Sequence, residues 1–120
     1  MEQSYVQNAR IFKALGDPRR AMIVDMLSCG ELCACRILEQ FEMSQSTLSH
    51  HMKLLCECGL VKAREEGKWT YYSLNEQTAA TAGQFLRAIT ADTGYCICRA
   101  GETEHAQAIK DEKGCDGCDT

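Results

Sequence analysis

Nine cysteines in 120 residues are the part of this sequence most able to do chemistry. They stand at Cys29, Cys33, Cys35, Cys56, Cys58, Cys96, Cys98, Cys115 and Cys118. Secreted chains of this density are often disulfide scaffolds. Three features count against that here. The number is odd, the tight C-x-C pairs bridge poorly, and the opening Met-Glu-Gln-Ser-Tyr lacks the basic and apolar regions of a signal peptide. Clustered thiols in a reducing compartment bind metal or sense redox state. Soft thiolates select soft ions, so Cys33 and Cys35 favour As(III), Sb(III), Cd(II), Pb(II) or Zn(II) over Mg or Ca. Any single cysteine can also serve as a small core hydrophobe.

A second chemistry lies in the segment that follows. Gln45, Ser46, Thr47, Ser49, His50 and Lys53 carry donors and acceptors suited to base edges and phosphates. Lys62, Arg64 and Lys68 come next, beside Trp69, Tyr71 and Tyr72. The net charge of −4 looks wrong for a partner of nucleic acid until it is divided. Residues 1–91 hold ten Lys/Arg and ten Asp/Glu, whereas residues 92–120 hold three and seven. The acidity belongs to the last segment, which leaves the body free to carry a local basic face.

The elements that would position these groups can be read from periodicity. A first helix is expected over 4–15, with Tyr5, Ala9 and Phe12 on one face. Asp17-Pro18 reads as an N-cap followed by proline at the first helical position, opening a second helix that buries Ile23, Met26 and Leu27. A third is expected over 31–41, with Ala34, Ile37, Leu38 and Phe41 inward. Ser44 caps a fourth, running to about residue 57 and burying Leu48, Met52 and Leu55, with Gly59 as its stop. A helix, a turn at Glu42-Met43 and a helix with a polar outer face make a helix-turn-helix. Residues 60–65 and 69–74 form a hairpin, or wing, through Glu66-Gly67-Lys68. Asn75 caps a last helix to about residue 91, with Ala79, Ala82, Gly83, Leu86 and Ile89 suited to close helix contact. The fold expected is mainly α with a small β-hairpin, a winged helix-turn-helix in the order α-α-α-α-β-β-α. Residues 1–95 would form the DNA-binding and dimerisation domain and 96–120 a flexible, acidic, cysteine-containing tail.

Residues 10–91 resemble the ArsR/SmtB family of winged-helix metal-responsive repressors. The resemblance is carried by Ile11-Phe12-Lys13-Ala14-Leu15-Gly16-Asp17-Pro18-Arg19-Arg20, by Glu31-Leu32-Cys33-Ala34-Cys35, and by the run from Ser44 to Leu55. The middle segment is similar to the arsenic-responsive branch. The resemblance implies a symmetric homodimer joined through first and last helices, double-stranded operator DNA as partner, and repression until an inducer binds. It also narrows the inducer. The family's zinc and nickel site needs histidines on the last helix, where this chain has none between His51 and His105. Its cadmium and lead site adds cysteines from an N-terminal arm, and no cysteine precedes Cys29. As(III) or Sb(III) on Cys33 and Cys35 remains, with no obligatory cofactor. Some members of the branch carry a third cysteine where this chain has Leu38. The third thiolate is therefore open among Cys29, Cys56, Cys58, Cys96 and Cys98, and Cys96, Cys98, Cys115 and Cys118 could form a second site.

Spacing raises a mechanical point. On a regular helix Cys33 and Cys35 point about 200° apart, yet two sulfurs on one centre must approach within about 3–4 Å. Binding is therefore expected to unwind the first turn of the third helix. Two alternatives stay open: a DNA-binding redox or persulfide sensor, and a thiol enzyme. The enzyme lacks support, because the C-x-x-C sits outside any β-α-β context. No stretch approaches the roughly 20 apolar residues of a membrane span, so a cytoplasmic protein without membrane partners is expected.

Overall fold

The computed structural model describes residues 2–91. The elements run α1 (Glu2–Leu15), α2 (Pro18–Leu27), β1 (Leu32–Cys33), α3 (Ala34–Leu38), α4 (Gln45–Glu57), β2 (Val61–Glu66), β3 (Trp69–Leu74) and α5 (Glu76–Thr90). This is a winged helix-turn-helix with a three-stranded antiparallel sheet in the order β1-β3-β2. The expected boundary at 95/96 and the tail beyond it lie outside the described residues.

Local chemistry accounts for the helix starts. The Asp17 carboxylate accepts the Arg19 amide at 2.8 Å, and Pro18 follows. Ser44 Oγ accepts the Thr47 amide at 3.1 Å, and Asn75 Oδ1 accepts that of Thr78 at 3.3 Å. Each cap satisfies a donor that the first helical turn leaves without a partner. Gly67 sits at φ 64° in the two-residue turn closed by the Glu66–Trp69 pair, a left-handed conformation that suits a tight hairpin.

The core gathers Ile11 and Ala14 from α1, Ile23 and Leu27 from α2, Ile37 from α3, and Leu48, Met52 and Leu55 from α4. Leu60, Val61 and Ala82 complete it. Buried side chains of this size contribute about 1.5–3 kcal/mol each, so α4 is held firmly by its inner stripe while its outer face stays wet.

Three expectations about the elements are revised. A third strand, β1, pairs Leu32 with Tyr72 and Cys33 with Tyr71. It takes the residues expected to open the third helix, which shrinks to Ala34–Leu38 and fully buries only Ile37. On α1 the buried face is Asn8, Ile11 and Ala14. Ala9 is exposed, while Tyr5 and Phe12 meet Phe85 of α5 at ring-centroid distances of 5.5 and 6.2 Å.

Candidate thiol site and nucleic-acid interface

Cys33 ends β1 and is also the N-cap of α3, with extended backbone at φ −72° and ψ 147°. Cys35 lies one residue inside the helix. Because Cys33 is not helical, the 200° separation does not apply, and the two Sγ atoms lie 2.8 Å apart. The expectation that a helical turn must unwind before both thiols can meet one centre is therefore corrected. Pairing with β3 holds Cys33 extended, and the chain's bend into α3 turns Cys35 back towards it. Cys33 is half-buried and Cys35 exposed, so the pair is open to solvent.

The thiols share their proton unequally. The Cys35 thiol beside it, followed by the amides of Cys35 and Arg36, holds the Cys33 thiol below its ordinary range. The same contact pushes Cys35 up, with burial adding to it. Two such groups titrate as a pair. Two adjacent thiols open to solvent are suited to a soft thiophilic ligand.

The other described cysteines do not join them. Among the described residues no group of three or more His, Cys, Asp or Glu is placed to hold a metal ion. Cys29 is exposed in the turn after α2. Cys56 and Cys58 pack against the core. Burial pushes the Cys56 thiol up, and the Cys58 thiol donates to the Leu55 carbonyl at 3.3 Å. Cys96, Cys98, Cys115 and Cys118 lie outside the described residues.

On α4, Gln45, Ser46, Ser49, His50 and Lys53 are exposed together, opposite buried Leu48, Met52 and Leu55. Thr47 differs: it is half-buried, and its hydroxyl accepts from Ser44 at 2.9 Å. Lys62 and Lys68 are exposed on the hairpin. Arg64 is exposed but engaged. Its Nη2 and Nε donate to Glu31 at 2.8 and 3.2 Å, its Nη1 donates to Glu66, and its guanidinium lies 4.7 Å from the Tyr71 ring centre. Those carboxylates hold Arg64 firmly protonated, and Arg64 in turn holds the Glu31 carboxyl below its ordinary range. A phosphate contact by Arg64 would have to displace them.

Sequence reasoning missed three positioning residues. His51 is 4% exposed on the inner face of α4. Arg20 donates to its Nδ1 at 3.0 Å and to the Ala14 carbonyl at 2.6 Å, tying α1, α2 and α4 together. His51 falls between Leu48 and Leu55 at helical spacing, so the buried stripe itself was the available signal. Glu31 had no local signal, because its partner Arg64 lies 33 residues away.

A polar-faced helix behind a turn, followed by a hairpin with exposed lysines, is the surface of a DNA reader. Residues 17–63 match the model for bacterial regulatory proteins of the arsR family. The arsenical resistance operon repressor of Staphylococcus xylosus is 46% identical over 96 residues, covering 80% of this chain and 92% of that one. The chain belongs to the arsR family. Two solved structures extend the likeness of this arsR-family chain. A possible transcriptional regulator for arsenical resistance superposes with a TM-score of 0.63 at 29% identity, over 69% of this chain and 85% of its own. The homodimeric winged helix-turn-helix DNA-binding domain Mb0332 of Mycobacterium bovis gives 0.60 at 34% identity, over 71% and 80%. The arsR-family chain is accordingly a transcriptional regulator and not an enzyme. No described helix is long and apolar enough to cross a membrane.

Proposed function

We propose that this chain is a cytoplasmic, homodimeric repressor that binds operator DNA and releases it when As(III) or Sb(III) is captured by Cys33 and Cys35. The observation that carries the reading is the 2.8 Å approach of the two Sγ atoms on an exposed edge. Two thiolates on one soft centre sit about 3–4 Å apart, so only a small parting of the pair is required. The relative in Staphylococcus xylosus is an arsenical resistance operon repressor, which supports the same inducer and the same sign of regulation.

A trivalent pnictogen takes three thiolates. Among the described residues, Cys29, Cys56 and Cys58 do not gather with the pair into a group that could hold a metal. Each As–S bond forms as an As–OH group of the neutral As(OH)3 leaves as water, carrying off the thiol's proton. The DNA-facing groups would be Gln45, Ser46, Ser49 and His50 on base edges, with Thr47 shaping the start of α4. Lys53, Lys62 and Lys68 would lie on phosphate. A homodimer sets two such faces on neighbouring half-sites, and the similar domain from Mycobacterium bovis is homodimeric. Switching the operator from 99:1 bound to 1:99 needs about 5.5 kcal/mol of differential binding.

The test is operator binding titrated separately with arsenite, antimonite, Cd(II) and peroxide. Release by the first two at stoichiometric amounts supports the reading. Release by peroxide alone would favour the redox sensor instead.

A further inference from the structure

Cys33, Tyr71 and Arg64 line up across the three-stranded sheet. Cys33 is the register partner of Tyr71 on one side of β3, and Arg64 is its partner on the other. Directly opposed residues in antiparallel strands share a face of the sheet. On that face the Arg64 guanidinium lies against the Tyr71 ring and reaches Glu31, two residues before Cys33, through two hydrogen bonds. Residues 31–33 therefore hold both a thiol of the sensing pair and the carboxylate that fastens the wing.

The packing around α3 points the same way. That helix rests on β1 and β3, whereas α4 rests on α1, α2 and β2. A disturbance at Cys33 and Cys35 thus meets the wing strand through the register Cys33–Tyr71. Strand β1 has only two residues, so little in the strand itself resists a shift of its backbone when the two sulfurs part to seat one centre.

We propose that the Glu31–Arg64 ion pair is the link that transmits occupancy of the Cys33/Cys35 pair to the wing. The inference rests on the proposed metalloid response and names its route. With the thiols free, Glu31 and Glu66 hold Arg64 across Tyr71 and fix the hairpin relative to β1. When the thiols part to take a ligand, β1 moves and the two contacts to Glu31 carry that motion to β2. Glu31 and Arg64 are positioning residues: neither needs to touch ligand or DNA. Bidentate arginine–carboxylate geometry suits this role because it transmits orientation as well as attraction.

Trp69, the single tryptophan, provides a reporter. It is half-exposed at the end of β3 and is the register partner of Glu66, to which Arg64 also donates. Arsenite is titrated into the DNA-free, full-length wild type, Glu31→Gln and Arg64→Gln while Trp69 emission and bound arsenite are both followed. The wild type is expected to change emission in step with binding. Glu31→Gln and Arg64→Gln should bind the same amount of arsenite yet lose at least half of the emission change, and the double variant should lose no more than either alone. In parallel, the arsenite-induced loss of affinity for an operator duplex selected from a random pool should shrink tenfold or more in Glu31→Gln. A full wild-type emission change in both single variants would overturn the link. So would loss of arsenite binding in Glu31→Gln, which would make it part of the site itself. Arsenite binding and operator release by the wild type without any Trp69 response would overturn the link alone. Absence of arsenite binding by the wild type would overturn the metalloid reading and the link with it.

Discussion

The Arg20 guanidinium donates to His51 Nδ1 at 3.0 Å, and this contact fixes the charge state of a buried imidazole on the helix that would read DNA. Arginine has no acceptor, so Nδ1 must be unprotonated and the ring neutral. Its Nε2 is buried and, among the described residues, unpartnered. Burial holds the His51 pKa below the usual histidine range; Asp17 opposes that shift, while Arg20, Arg19 and His50 reinforce it.

A pH dependence follows. The unfolded chain takes up this proton near pH 6.5, before the folded chain does. Below that point the unfolded state binds more protons, so stability falls as pH falls and recovers above it. From this group alone the slope is at most about 1.4 kcal/mol per pH unit. Urea unfolding between pH 7 and 5 should show the loss in the wild type and a flatter profile in His51→Gln. An unchanged profile in that variant would remove His51 as the cause.

Electrostatic grip on DNA can be apportioned by salt. Lys53→Ala and Lys68→Ala are each expected to weaken specific and nonspecific binding alike and to reduce the salt slope by about one unit. Ser49→Ala and His50→Ala should change sequence preference instead. An unaltered slope in Lys53→Ala would contradict the proposed face of α4.

Assembly offers a third check. Tyr5 and Val6 of α1 and Leu86 and Ile89 of α5 are each between 41% and 55% exposed, an apolar display on the two helices expected to meet a second copy. Leu86→Asp should shift the protein from dimer to monomer in sedimentation and reduce operator affinity at least tenfold. A wild-type monomer at micromolar concentration that binds operator tightly would defeat the dimer.

The fold was legible wherever signals were local. Asp17, Ser44 and Asn75 each cap the helix they were expected to cap. Leu48, Met52 and Leu55 set the register of α4 because apolar spacing and exposure agree there. Strand β1 was not legible, because Leu32–Cys33 becomes a strand only by pairing with residues nearly 40 positions later. The same pairing decides how Cys33 and Cys35 meet, so the geometry of that pair was misjudged. On α1 the stripe was misread because polar Asn8 occupies a core position, its amide donating back to the Ser4 carbonyl at 2.8 Å. Cys56 and Cys58 show the remaining limit: residue type alone does not separate a core thiol from a ligand.

The most direct measurement is arsenite titration of the operator complex for wild type, Cys33→Ser and Cys35→Ser. Serine keeps a small polar group but removes the soft thiolate. Both variants are expected to bind operator as the wild type does, since neither thiol lies on the proposed DNA face, and to stay bound at arsenite concentrations that release the wild type completely. Wild-type release by both serine variants would contradict the account and move the sensing site away from the Cys33/Cys35 pair.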